Sequence, residues 1–153
     1  MNRTAYDIAA DWMREGVSEI AGNQDNFAIM AMLTLDNQWP EHDETPWCAG
    51  FAAFVAMNAG LKRSKSLLAR SWLAVGEPIE LDQARVGNDV VILKRGSGNQ
   101  PGPENLTAPG HVGFFAGATP HHVYLLGGNQ NDAVNIGRYP IEQLLGVRRL
   151  QPL

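Results

Sequence analysis

The sequence predicts an α+β domain in which helices come first and an antiparallel sheet follows. Three observations carry this. Apolar residues recur at helical spacing through the first half of the chain. From Asp89 onward the pattern changes to short β-branched or aromatic runs separated by Gly, Pro and Asn. Sixteen Gly and nine Pro in 153 residues supply the turns of a compact domain rather than a helical bundle. That length suits a single domain, 1–153, long enough to bury its own core.

In chain order, residues 4–15 place Tyr6, Ile8, Ala9, Trp12 and Met13 at helical spacing and stop at Gly16, a C-terminal cap. Residues 26–35 read as a second helix through Phe27, Ile29, Met30, Met32, Leu33 and Leu35. The polar stretch 36–44, with Pro40 and four acids, reads as loop. Residues 45–60 form a helix whose ends are written in: Thr45 as cap, Pro46 at the first position, Gly60 at the close. Cys48, Phe51, Ala52, Val55 and Ala59 share one face of it. Ala49, Gly50, Ala52, Ala53 and Ala56 keep it slim enough for a sheet to pack close. A short helix is expected around 66–73, then strands over 89–94, 111–117, 121–127, 133–137 and 147–150. The loop 95–110 is long for a compact domain, a length often tied to function.

A net charge of −4 offers neither the basic footprint of a nucleic-acid binder nor a polybasic patch for anionic lipid. No stretch approaches the roughly 18 apolar residues of a membrane span. Charges interrupt the first twelve residues, which lack the apolar centre of a secretory signal. The expectation is therefore a chain made in the cytoplasm without a signal peptide, with no nucleic acid or membrane partner; monomer is the default, since nothing in the sequence reads on oligomeric state.

The chain has one cysteine, Cys48. An unpaired cysteine is usually a small buried hydrophobe. With Thr45 as cap, however, Cys48 falls at the third helical position, where free N–H groups and the positive helix end favour a thiolate. The same N–H groups suit an oxyanion. Gly110-His111-Val112-Gly113 sets a histidine at a strand start, flanked by small residues, as a base for the thiol. Asn129, at the end of the following strand, is the candidate to orient the imidazole; turn chemistry is the competing reading. Trp39, Trp47 and Trp72 are candidates to stack on sugar or peptide, against core packing. Asp43 and Glu44 could bind an amino group, or simply be exposed loop acids. His121 and His122 point to opposite strand faces, and His42 with its acidic neighbours matches no metal spacing, so no metal or cofactor is expected.

Asp43-Glu44-Thr45-Pro46-Trp47-Cys48-Ala49, Gly110-His111-Val112-Gly113 and Leu126-Gly127-Gly128-Asn129-Gln130 resemble the three landmarks of a bacterial and phage branch of NlpC/P60, CHAP-like cysteine peptidases. The segments 16–22, 68–73, 138–140 and 144–149 resemble it too, so the likeness spans nearly the whole chain in register. It implies a papain-like fold, N-terminal helices packed on an antiparallel sheet, that cleaves an amide bond of peptidoglycan through a thioester. Cys48 would be nucleophile, His111 base and then acid, and Asn129 the orienting residue; substrate binding by Trp47, Trp72, Asp43 and Glu44 rests on their residue types and not on the resemblance. Two departures stand out: one extra residue in Gly87-Asn88-Asp89-Val90-Val91, and the long 95–110 loop. The bond cut is expected within the stem peptide or between the muramoyl lactyl group and L-Ala. Such a chain would act at the cell wall or periplasm after delivery by a phage or secretion system, sometimes opposite an immunity protein. The alternatives are a papain-like toxin or acyltransferase of different chemistry, and a non-catalytic phage-tail module.

Overall fold

The computed structural model describes residues 3–16, 32, 47–96, 98–130 and 132–153. Helix α1 (Ala5–Arg14) opens with a reciprocal cap: Thr4 Oγ1 accepts from Asp7 N–H at 3.2 Å, and Asp7 Oδ2 accepts from Thr4 N–H at 2.9 Å. Gly16, at φ 72°, follows it. Asn88 Oδ1 accepts from Ala5 N–H at 2.9 Å, tying this helix to the entry of the sheet. The helix expected at 26–35 and the loop at 36–44 lie outside the described residues, apart from Met32, which is helical and buried.

Helix α2 (Cys48–Asn58) is the central element. Eight of its eleven residues are buried, so the single apolar face read from the sequence is corrected. Phe51 lies close against Gly128, while Phe54 meets Trp12 of α1 edge-on at 5.6 Å. The helix begins with Trp47 as cap residue, not Thr45, and ends at Ala59, with Gly60 at φ 72°. The short helix expected at 66–73 is a 3-10 helix, Ala69–Ala74.

Six strands follow: β1 (Glu77–Ile79), β2 (Asp89–Lys94), β3 (Gly110–Ala118), β4 (His122–Gln130), β5 (Ala133–Pro140) and β6 (Leu144–Arg149). They form one antiparallel sheet in the order β1-β6-β2-β3-β4-β5. Strand β1 was not expected; three residues are too few for an alternation to register. Val90, Ile92, Val112, Phe114 and Leu126 face α2 and the 3-10 helix, forming the larger core with Phe51, Val55 and Trp72. The alternate residues Val91, Leu93, Phe115, Val123, Leu125 and Val147 form a second core. Ile79 from one edge strand and Tyr139 from the other both pack on it, so the sheet curls around this face. Asp89, almost fully buried, is paired with Arg149 through two hydrogen bonds of 2.8 and 2.9 Å, which locks β2 to β6.

Candidate active site

Cys48 is the first residue of α2, two positions earlier in the helix than its expected place. Its sulfur still lies at the helix end that carries free N–H groups and partial positive charge. The ladder between β3 and β4 begins at Phe114↔Leu126, which leaves the first residues of β3 unpaired on that side. There the backbone of Val112 hydrogen-bonds the sulfur. Burial pushes the thiol up, but the charge and hydrogen bonding of His111, then Val112, then the charge of Arg95 outweigh it. The net result is a thiol lowered from 9.0 to about 7.

His111 is 3% exposed and lies on β3 opposite Leu93. Its Nε2 sits 2.9 Å from Gln130 Oε1 and 3.2 Å from the Tyr139 hydroxyl. The Gln130 amide can be oriented from its surroundings. Its Nε2 donates to Leu125 O at 3.1 Å, Asn135 O at 2.7 Å and Asn135 Oδ1 at 2.9 Å. All three are acceptors, so the nitrogen belongs there and the oxygen faces His111. An oxygen acceptor requires a proton on His111 Nε2, which leaves Nδ1 as the free base. Nδ1 is buried and makes no hydrogen bond among the described residues, which leaves it for the thiol whose charge the imidazole stabilises. Tyr139 stacks against the imidazole with ring centres 5.2 Å apart. Burial, with the neighbouring sulfur, pushes its hydroxyl up to about 12 despite Arg95, so it stays neutral.

The orienting contact expected of Asn129 is made by Gln130 instead. The pairing of β4 with β5 shifts between Gly127 and Gln130, and Asn129 sits in that bulge at φ 59°. Trp47 and Trp72 are both fully buried and offer no face for stacking, which corrects their assignment to substrate. Trp47 instead packs edge-on to Phe51 at 6.5 Å and against Gly128, where an added Cβ would fall 2.7 Å from its ring. Trp39, Asp43 and Glu44 lie outside the described residues. Sequence reasoning missed Gln130, Tyr139 and Arg95 as members of the site.

A cleft of about 370 Å³ opens on the sulfur, lined by Cys48, Leu67, Leu68, Ala69, Arg95 and residues 107–110. One wall is held by Arg70, which is fully buried. It donates to the carbonyls of Pro101, Gly102, Asn105 and Pro109 at 2.8–3.2 Å. Gly110 admits it: a Cβ there would fall 2.8 Å from Arg70 Cγ. A slightly larger cleft of about 420 Å³, between β1 and β6, contains no nucleophile and lies away from this chemistry. Among the described residues, no three His, Cys, Asp or Glu side chains gather as a metal site would require.

The chain has the fold of NlpC/P60 domains. It is similar to the P60 domain of antigen MAP1272c from M. avium paratuberculosis, with a TM-score of 0.55 at 16% identity, covering 96% of this chain and 93% of that one. The P60 domain of antigen MAP1204 from M. avium subspecies paratuberculosis gives 0.55 at 13% identity, over 95% and 93%. NlpC1 from Trichomonas vaginalis gives 0.51 at 12% identity; the match takes in 97% of this chain but 45% of NlpC1. No family model and no curated protein matches the sequence.

Proposed function

We propose that this chain is an NlpC/P60-type cysteine hydrolase that cleaves an amide bond of peptidoglycan, in the stem peptide or at the muramoyl–L-Ala junction. The observation that carries the chemistry is the pairing of a thiol lowered to about 7 with an imidazole whose far nitrogen is fixed by Gln130. The substrate follows from the likeness of the motifs around Cys48, His111 and Asn129 to those of NlpC/P60 peptidases, whose fold this chain shares.

In this mechanism His111 Nδ1 takes the thiol proton and the Cys48 sulfur attacks the amide carbonyl. Backbone N–H groups at the start of α2 receive the oxyanion. The imidazolium then protonates the departing amine, leaving a thioester on Cys48. His111 next removes a proton from water, whose oxygen attacks the thioester and releases a carboxylic acid. Gln130 holds the tautomer throughout, and Tyr139 packs the ring in place. Residues 107–110, at the end of the loop pinned by Arg70, shape one side of the cleft. Under this reading the partner is the cell wall, reached after delivery by a phage or secretion system. Digesting insoluble peptidoglycan with wild-type and Cys48→Ala protein tests it: soluble fragments should appear with the first and not the second.

A further inference from the structure

We propose that Arg95 makes the cleft beside Cys48 a carboxylate-binding subsite, so that preferred substrates carry a free carboxylate close to the scissile amide. The substrate clause rests on the hydrolase reading above; the subsite itself does not. Three observations lead to it. Among the described residues, Arg95 is the charged side chain in a lining that is otherwise Leu67, Leu68, Ala69, Cys48 and residues 107–110. It follows directly on Lys94, the end of β2, whose partner across the ladder is Gly110, next to His111. It is half-buried, and its charge bears on both the Cys48 sulfur and the Tyr139 hydroxyl.

Two other arginines of the fold are engaged within it. Arg149 is paired with Asp89, and Arg70 is occupied by four loop carbonyls. No acid of the described residues forms a salt bridge with Arg95. An incoming carboxylate therefore displaces no described acid, and a guanidinium fork suits the two oxygens of a carboxylate. The apolar walls raise the value of that contact by excluding water, and they accommodate a short aliphatic side chain next to the charge.

Alkylation of Cys48 tests the subsite without any assumption about murein. Iodoacetate and iodoacetamide both form an S–C bond as the C–I bond breaks and iodide leaves; they differ in that the first carries a carboxylate. The ratio of their rates, measured on the intact protein with the site of addition confirmed by peptide mass, cancels any change in thiolate population. The iodoacetate-to-iodoacetamide ratio should fall about tenfold or more in Arg95→Gln, the scale of a charge-assisted hydrogen bond, and largely survive in Arg95→Lys. A ratio within twofold of wild type in Arg95→Gln overturns the proposal, and so does a Cys48 that neither reagent reaches. Stem peptides with their carboxylates free or amidated extend the test to substrate: wild type should favour the free form by a similar factor, and Arg95→Gln should not. If Arg95→Gln lowers the reagent ratio while no peptidoglycan is cleaved, the hydrolase reading fails and the subsite stands.

Discussion

Replacing Gln130 with leucine separates the orienting residue found in the structure from the one its neighbour suggested. Gln130 is 5% exposed and makes four side-chain hydrogen bonds: one to His111 and three from its amide nitrogen to Leu125 and Asn135. Leucine fills similar volume but leaves those partners short of a hydrogen bond. Buried groups deprived of a partner cost about 1–3 kcal/mol each, and some here keep others, so the loss should be about 2–4 kcal/mol. For a domain of this size that lowers Tm by about 5–15 °C. The catalytic effect is distinct. The Tyr139 hydroxyl, kept neutral by burial, becomes the remaining partner of His111 Nε2 at 3.2 Å. Free to donate there, it draws the imidazole proton to Nδ1, the nitrogen that must be unprotonated. Activity below the melting transition should fall by about a hundredfold or more, as expected of a base held in the wrong tautomer. Asn129→Gly is the matched control, since glycine accepts φ 59° and removes only the amide. Melting by circular dichroism and initial rates of fragment release measure both effects. Full activity in Gln130→Leu together with loss in Asn129→Gly would refute the assignment.

Other outcomes follow from the same contacts. Iodoacetamide should alkylate Cys48 with a midpoint near pH 7, because the thiol lies below its usual 9.0; about half is thiolate at pH 7, against about 1% for an unperturbed group. His111→Ala removes the main lowering influence and leaves burial, so the midpoint should rise above 9; an unmoved midpoint would mean the imidazole is not the thiol's partner. Gly128→Ala places a Cβ 2.7 Å from Phe51 Cβ and the Trp47 ring, and should cost about 1–3 kcal/mol in urea denaturation. A neutral result would mean that α2 does not lie this close to β4. Arg70→Met releases four loop carbonyls, so limited proteolysis should cut rapidly within 98–109, while the wild-type chain should resist.

The helix bearing the cysteine and most of the sheet were legible because their signals are local. Gly60 ends α2, and the turn residues between strands mark the hairpins. Strand β2 lies where its apolar run placed it, since every residue from Asp89 to Leu93 is buried. The orienting residue was not legible, for a geometric reason. Continuing the register Phe114↔Leu126 to the end of β4 would set Asn129 opposite His111, as an unbroken alternation implies. A bulge at that point reverses the alternation, and Gln130 takes the place. The one sign of it in the sequence is Gly-Gly-Asn before Gln130, residue types that tolerate a bulge. The tryptophans misled because their chemistry fits a sugar platform and a core equally well. Trp47 is decided by Gly128, some eighty residues away in sequence, whose missing side chain gives it room. Arg70 and Arg95 were silent for a similar reason: one is buried among carbonyls and the other lines a cleft, and neither placement leaves a spacing to read.

Hydrolysis of a cell-wall amide by Cys48 is tested most directly by the products it would release. Insoluble peptidoglycan incubated with wild-type or Cys48→Ala protein should be assayed for new amino groups, new reducing ends and fragment masses. Wild type should give new amines without new reducing ends and masses that identify the cleaved amide, and a folded Cys48→Ala should give neither amines nor fragments. Equal release by both proteins, or reducing ends without amines, would contradict amide hydrolysis by Cys48.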